Sequence, residues 1–155
     1  MFAVRKATVK DADWITSLLR NAQINDQGVD EHLEQFLVVE DSREPGTRIG
    51  TVGLEIYRNK GLLRSFVMES GSWNATTGLE LIGVVLAHAR RLELDEVYLM
   101  TSIAQPIFEH FGFVLVDWET IPVEIRQSDH ARRAKAEGGV AMVNRRLSRP
   151  RSPVV

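Results

Sequence analysis

Residues 62–101 read LLRSFVMESGSWNATTGLELIGVVLAHARRLELDEVYLMT. The segment begins with a strand-forming run at residues 62–68, crosses a small and polar loop at residues 69–78, and enters a helical repeat at residues 79–94. A second apolar run follows at residues 95–101 and is typical of a buried strand. A strand, a helix and a strand in this order predict a parallel pair of strands joined by a crossover helix.

The rest of the chain supplies further strands and helices on both sides of this segment. Alternating runs rich in strand formers predict strands at residues 2–8, 36–40, 49–57, 113–119 and 140–147. Helical spacing of apolar residues predicts helices at residues 11–21, 29–35 and 102–111. Residues 121–137 are polar and show only a weak helical periodicity, at residues 121–126, and a lid over the acceptor site and a plain loop both stay open for this segment. Short turns between residues 36 and 68 predict an antiparallel meander, so the predicted fold class is α/β, with a mixed, mostly antiparallel central sheet that contains one parallel pair.

The composition indicates a single globular domain. The chain has 155 residues, of which 44% are hydrophobic and 26% are charged, and this balance excludes an intrinsically disordered protein. We expect one domain at residues 1–147 and a flexible basic tail at residues 148–155. No apolar run approaches the roughly 20 residues that span a bilayer, and the N-terminus lacks the apolar core of a signal peptide. We therefore expect a cytoplasmic protein that does not enter membranes.

The absence of cysteine and the near-neutral charge exclude several kinds of chemistry. Because the chain has no Cys, it has no disulfide, no thiolate metal site and no cysteine nucleophile. The four His residues follow no pattern of metal ligands, so the sequence predicts no metal site. The net charge is −2, and no aromatic residue is interleaved with the arginines near the C-terminus. A solvated tail is therefore favoured over a nucleic-acid-binding arm.

The polar loop at residues 69–78 precedes the long predicted helix. A helix N-terminus offers unpaired N–H groups and the positive end of the helix dipole, both of which suit a phosphate or a carboxylate. The residues nearest the helix are small enough to let a ligand approach the backbone: Asn74, Ala75, Thr76, Thr77 and Gly78. The loop carries no Lys or Arg, and a solvated loop without a ligand stays open as the alternative.

The order of these elements resembles the GNAT superfamily of acyl-CoA N-acyltransferases. The resemblance covers residues 1–119 and includes FEHFGF at residues 108–113. It implies that acetyl-CoA is the co-substrate, that Phe66, Val67 and Met68 bind its pantetheine arm and the reaction's oxyanion, and that the loop binds its pyrophosphate. Within the superfamily, the chain looks like the branch that includes small-molecule and arsenic-resistance acetyltransferases. This narrower resemblance is carried by the stretches VGLEIY, GLLRSF and VEIR. Because GNAT folds often dimerise, the resemblance also implies a homodimer.

Three positions depart from the superfamily pattern. Its loop usually reads Gln/Arg-x-x-Gly-x-Gly/Ala, whereas this chain has Trp73 at the first position, Thr76 at the first Gly position and Gly78 at the final small position. Many relatives carry a tyrosine acid on the short following helix, where this chain has Phe108. The resemblance places these residues at the coenzyme A site. The departures keep a second hypothesis open, a degenerate GNAT-fold binding or interaction module that does not turn over acetyl-CoA.

Candidate catalytic and substrate-binding residues lie on the two strands before the loop. Glu55 is the candidate general base for an amine, directly or through water, against the alternative of a surface-facing or salt-bridged carboxylate. Arg64 interrupts an apolar run and is either an edge-strand charge or a clamp for a substrate carboxylate. Ser65 and Tyr57 are nearby hydroxyls for substrate binding or acid catalysis. The leading hypothesis is direct transfer of an acetyl group to a primary amine of a small molecule, since no cysteine is present to carry an acyl intermediate.

Overall fold

The structure is a computed structural model that describes residues 2–24, 26, 28–69, 75–101 and 106–145. Its strands are β1 (Phe2–Lys6), β2 (Phe36–Asp41), β3 (Arg48–Tyr57), β4 (Lys60–Met68), β5 (Glu96–Thr101), β6 (Val114–Val116) and β7 (Val140–Asn144). Its helices are α1 (Ala12–Asn21), α2 (Ala75–Arg91), α3 (Pro106–His110), α4 (Val123–Arg126) and α5 (Asp129–Ala136). Short 3₁₀ turns occupy Val9–Asp11, Leu33–Gln35 and Trp118–Thr120.

The strands form a sheet in the order β1-β2-β3-β4-β5-β7-β6. The pairs β1–β2, β2–β3, β5–β7 and β6–β7 are antiparallel, and β4 and β5 form the parallel pair. The predicted fold class, a mixed and mostly antiparallel α/β sheet with one parallel pair, is confirmed. Because β4 has a neighbouring strand on each side, the interpretation of Arg64 as an edge-strand charge is wrong.

The start of α2 differs from the sequence-based prediction. The helix begins at Ala75, so residues 75–78, which we predicted as the end of a loop, form its first turn. Neither Ala75 nor Thr76 is a helix-breaking residue, and the single glycine at position 78 weakens a long helix without ending it. The remainder of the predicted loop, including Trp73 and Asn74, lies outside the described residues.

Other element boundaries also differ from the sequence-based predictions. The predicted helix at residues 29–35 is reduced to the 3₁₀ turn Leu33–Gln35, and the predicted strand at residues 113–119 ends at Val116 before another 3₁₀ turn. Residues 121–137 contain two helices, α4 and α5. The Ser128 hydroxyl caps α5 by accepting a hydrogen bond from the Ala131 N–H at 3.2 Å. No helix in the described part of the chain is long and apolar enough to cross a membrane.

The contacts within the chain group into two units, and the expectation of a single domain stays a prediction. Unit 1 comprises Met1–Glu55 and Leu63–Glu80. Its core contains one apolar face of α1, one residue of the turn that follows it, and side chains of β2 and β4: Ile15, Leu18, Leu19, Val29, Phe36, Val38 and Val67. In the β2–β3 pairing Phe36 lies opposite Gly53. Because strand side chains alternate between the faces, Phe36, Gly53 and Glu55 share one face of the sheet.

Unit 2 comprises Ile56–Leu62 and Leu81–Val155. One of its core clusters joins β5, β7 and the segment before α5: Leu62, Tyr98, Ile121, Ile125, Ala141 and Val143. The Tyr98 hydroxyl donates a hydrogen bond to Glu96 Oε1 at 2.9 Å. Burial, followed by this hydrogen bond to a carboxylate, raises the pKa of Tyr98 to about 12. Tyr98 is therefore a structural phenol that stays protonated.

A network of ion pairs and hydrogen bonds holds the N-terminal end of α1 in unit 1. The buried Asp11 carboxylate accepts two hydrogen bonds from the Arg5 guanidinium at 2.8 and 2.9 Å and one from the Thr8 N–H at 2.7 Å. Arg48 Nη1 lies 3.3 Å from Asp11 Oδ1, and its guanidinium stacks on the Trp14 ring. The hydrogen bonds from Arg5, although opposed by burial, hold the pKa of Asp11 well below its usual range. Asp11 therefore ties β1, β3 and α1 together as an anion.

We predict that D11N lowers the free energy of unfolding by about 2–4 kcal/mol, because it leaves Arg5 without its main anionic partner. Since the pKa of Asp11 is lower in the folded state, its contribution is present above the pKa of an unfolded aspartate and is lost as the pH falls below about 4. Urea unfolding from pH 7 to pH 3 measures both effects, and the difference between the variant and the natural chain should shrink toward low pH. D26N, which alters an exposed pair with Arg20, is the control and should cost at most about 0.5 kcal/mol. A difference that stays constant with pH would contradict the assignment.

Candidate active site

A buried ion pair joins β3 and β4 in unit 1. Arg64 Nη1 lies 2.7 Å from Glu55 Oε2, and only 10% of the Arg64 side chain and 11% of the Glu55 side chain are exposed. Burying a charge is costly unless it has a partner and hydrogen bonds. The structure therefore brings together the predicted base and the predicted carboxylate clamp. The interpretation of Glu55 as a surface-facing residue is wrong, and its salt bridge is present.

Two further residues, Gly53 and Phe36, position the side chain of Arg64. Gly53 has no side chain, and a Cβ placed there would lie 3.1 Å from Arg64 Cγ and 3.4 Å from Phe36 Cε1. The Arg64 side chain passes through this space, and its guanidinium carbon lies 5.7 Å from the centre of the Phe36 ring. This distance allows a cation–π interaction. Phe36 and Gly53 therefore define where the Arg64 guanidinium lies.

Ser65 has an unusual backbone conformation, and its hydroxyl contacts Arg64 of the Glu55–Arg64 pair. Its φ of 57° lies in the left-handed region, which a non-glycine residue in a strand seldom occupies. The side chain is buried, and its Oγ accepts a hydrogen bond from Arg64 Nε at 3.1 Å. A residue held in this conformation costs about 1–3 kcal/mol and is often found at functional sites. The surrounding contacts thus maintain a local departure from regular strand backbone within β4, next to Arg64.

The residues predicted to face coenzyme A occupy the end of β4 and the first turn of α2. Phe66 and Met68 are half-buried, and Val67 belongs to the core of unit 1. Thr76 is exposed, Thr77 is half-buried and Gly78 is buried. The first turn of α2 contains no acidic residue. The N–H groups at the start of this 17-residue helix form the positive end of its dipole, which suits a phosphate.

The remaining predicted site residues lie in unit 2. Tyr57 is half-buried and packs against the unit 2 cluster around Tyr98. Phe108, on α3, makes an edge-on contact with Phe113, with 5.9 Å between the ring centres. Phe108 has no hydroxyl to donate a proton. Among the described residues, no group of three His, Cys, Asp or Glu side chains is placed to hold a metal ion.

Two signals in the sequence point to Gly53, one of the two additional residues. A glycine inside a strand indicates a close approach of another group, and Gly53 interrupts the run at residues 49–57. Counting outward from the two-residue turn at residues 58–59 places Gly53 opposite Arg64. No comparable signal identifies Phe36, because its role depends on the pairing of β2 with β3.

A comparison of sequences identifies a relative of nearly equal length. The chain is 30% identical over 145 residues to YwlB of Bacillus subtilis, an uncharacterized protein, and the match covers 91% of this chain and 95% of YwlB. No model of a known protein family matches the chain.

Comparison with solved structures gives several similar folds. N-acetylglutamate synthase from Neisseria gonorrhoeae, complexed with coenzyme A and N-acetyl-glutamate, superimposes with a TM-score of 0.78 at 16% identity over 94% of this chain. The match covers 35% of the synthase chain, so this chain spans about a third of its length. Rv2747 from Mycobacterium tuberculosis, in complex with CoA, gives 0.74 at 20% identity, covering 92% and 98% of the two chains. An acetyltransferase of the GNAT family from Staphylococcus aureus gives 0.70 at 17% identity, covering 93% and 98%. At these identities the likeness shows a shared fold.

The left-handed backbone of Ser65 generates a prediction about two matched substitutions. S65G removes the Cβ that strains this conformation, whereas S65A keeps it, and both lose the hydroxyl that accepts from Arg64. We therefore expect S65G to be more stable than S65A by about 1 kcal/mol. At the exposed helical Ser17 on α1 the order should reverse, with S17G less stable than S17A by about 1 kcal/mol. Urea unfolding of the four variants measures both differences, and S65A more stable than S65G would contradict the assigned backbone.

Proposed function

We infer that this chain, which belongs to the same family as YwlB of Bacillus subtilis and has the GNAT fold, is an acyl-CoA N-acyltransferase that moves an acetyl group from acetyl-CoA to a primary amine of a small molecule. The observation that carries this proposal is the buried Glu55 carboxylate, held by Arg64 at 2.7 Å on the strand before β4. The fold supports the proposal because several solved structures that share it contain coenzyme A.

The residues of α2 and β4 fit a coenzyme A group. The first turn of α2 offers backbone N–H groups and the hydroxyl of the exposed Thr76 to phosphate oxygens, and that turn contains no acidic residue. Thr76 stands where the superfamily pattern has glycine, and its exposed side chain faces away from the packed interior of unit 1. Residues Phe66, Val67 and Met68 are proposed to supply backbone N–H groups to the pantetheine arm and to the oxyanion.

Glu55 is proposed to start the reaction by taking a proton from the ammonium group of the acceptor, directly or through a water. Acetyl-CoA supplies the acetyl group as a thioester. The freed amine nitrogen forms the new bond to the acetyl carbon, and the C–S bond breaks. The nitrogen loses its second excess proton at this stage, and the thiolate of coenzyme A receives a proton in turn. Phe108 has no proton to give, whereas the Ser65 hydroxyl, which accepts from Arg64 Nε, retains a hydrogen that it is able to donate.

A second candidate function is a GNAT-fold binding module without turnover. It is favoured by Phe108, which packs edge-on against Phe113 where many relatives carry a tyrosine acid, and by Thr76 at a glycine position. The two candidates differ in whether Glu55 changes the rate of a reaction. The acetyltransferase requires it, and the binding module does not.

We predict that acetyl-CoA at a hundred times its Kd stabilises the protein by about 2.7 kcal/mol, as measured by thermal unfolding. E55Q should keep this stabilisation, because a glutamine oxygen still accepts from Arg64. The same variant should lose about 10²–10⁴-fold in kcat, measured as release of the coenzyme A thiol. E40Q is the matched control, since Glu40 is also a strand glutamate paired with an arginine, and it should keep its activity. Binding without thiol release from any amine would favour the binding module.

We predict that T76G strengthens acetyl-CoA binding by about three- to tenfold, because glycine lets the diphosphate approach the backbone of α2 more closely. Isothermal titration calorimetry measures the Kd of T76G beside that of T76S. The serine variant keeps the hydroxyl and removes only the methyl group, so its affinity for acetyl-CoA should lie between that of the natural chain and that of T76G. An unchanged Kd in a folded T76G variant would contradict a role of this turn in holding the diphosphate.

A further inference from the structure

The Arg64 guanidinium has more hydrogen-bond donors than the protein uses. Its Nε donates to Ser65 Oγ at 3.1 Å and its Nη1 donates to Glu55 Oε2 at 2.7 Å. A guanidinium carries five N–H donors, and the hydrogen bonds of Arg64 to described residues use Nε and Nη1. Nη2 is not among the described buried polar atoms that lack a partner, so it lies on the exposed tenth of the side chain. This edge of the guanidinium is therefore open to an acceptor that is not part of the protein.

Three contacts hold this guanidinium in place before any ligand arrives. Glu55 fixes Nη1, Ser65 fixes Nε, and the Phe36 ring lies beneath the guanidinium at 5.7 Å from its carbon. Gly53 supplies the space that the side chain crosses. A flexible arginine would lose conformational entropy on binding, whereas this one has already lost it. The arrangement is that of a preorganised anion-binding group.

The charges of the pair select the kind of molecule that fits beside it. Glu55 and Arg64 together carry no net charge, so an isolated anion or an isolated cation would leave one charge uncompensated in a buried site. A zwitterion matches both, with its ammonium group toward Glu55 and its carboxylate toward Arg64. Because the paired nitrogen and oxygen are only 2.7 Å apart, the two groups of the ligand must lie close together. An α-amino acid, whose amine and carboxylate share one carbon, meets this condition.

We propose that the acceptor is an α-amino acid, whose carboxylate binds the free edge of Arg64 while its amino group faces Glu55. This inference rests on the proposed acetyltransferase function and specifies its substrate class. The reaction keeps the balance given above, because the nitrogen forms the amide bond and loses two protons, one to Glu55 and one that leaves with coenzyme A as its thiol when the C–S bond breaks. The carboxylate of the amino acid takes no part in bond formation and serves only for recognition.

The first test compares amino acids with derivatives that lack the carboxylate. Thiol release from acetyl-CoA is measured with the common L-amino acids, with their carboxamides, and with ε-aminocaproate, whose amine is far from its carboxylate. We expect kcat/KM for the best amino acid to exceed that for its carboxamide by about a hundredfold, because a site built for a polar group rejects the analogue without it. Equal turnover of the acid and its carboxamide, or of ε-aminocaproate and the α-amino acids, would overturn the proposal while leaving the acetyltransferase intact.

Variants of Arg64 give the second test. R64K keeps the charge and loses the forked donor geometry, so it should lower kcat/KM for the amino acid about tenfold or more and change that for the carboxamide by less than about threefold. R48K is the matched control, because Arg48 also pairs with a buried carboxylate and stacks on an aromatic ring outside the site, and it should affect neither substrate. An equal loss for both substrates in R64K would overturn the assigned role.

A binding measurement separates failure of this inference from failure of the proposed function. Thermal unfolding of the natural chain is recorded with each amino acid, and the best ligand is repeated with R64K and with the neutral double variant E55Q/R64M, which removes both charges together. Stabilisation of the natural chain alone, in a protein that releases no thiol, would support the amino-acid site and contradict the acetyltransferase. If no amino acid stabilises the natural chain and none is turned over, the amino-acid site is wrong. Equal stabilisation of the natural chain and the double variant would also contradict it.

Discussion

The ion pair between Glu55 and Arg64 places two charges where only about a tenth of each side chain is exposed. Water does not compensate charges in such a position, so each depends on the other and on the groups around it. Removing one partner of a buried pair typically costs about 3–5 kcal/mol, because the remaining charge stays buried. The neighbouring residues can be understood as the means by which β3 and β4 hold this pair. The proposed chemistry uses the same two charges.

The support for the pair comes from two local exceptions to regular strand structure. Gly53 gives up the side chain that a strand residue normally packs, and the Arg64 stem occupies that volume. Ser65 adopts a left-handed φ within β4 and brings its hydroxyl to Arg64 Nε. Each exception weakens the strand by itself. Together they fix the orientation of the Arg64 guanidinium. Such a local loss of stability is expected where the fixed orientation serves a function.

The sequence predicts most of the framework and only part of the site. The meander from β2 to β4 and the long helix α2 follow from apolar periodicity, because burial imposes the spacing of these residues. The helix α5 was not predicted, since among its residues only Ala131 is buried and its sequence has almost no apolar period. Its start depends instead on the Ser128 cap. Glu55, Arg64 and Ser65 were singled out individually, but their meeting depends on the pairing of β3 with β4, and the stacking of Arg64 on Phe36 depends on a third strand.

In the proposed site, Arg64 is held by Glu55 and Ser65 and presents its open edge to the carboxylate of an amino-acid substrate. A crystal structure of the protein with coenzyme A and the N-acetylated form of its best amino acid tests this claim most directly. We expect the carboxylate of the product within hydrogen-bond distance of Arg64 Nη2, and its amide nitrogen beside Glu55 with at most one water between them. A product bound with its carboxylate away from Arg64, in a structure that retains the Glu55–Arg64 pair, would contradict the account.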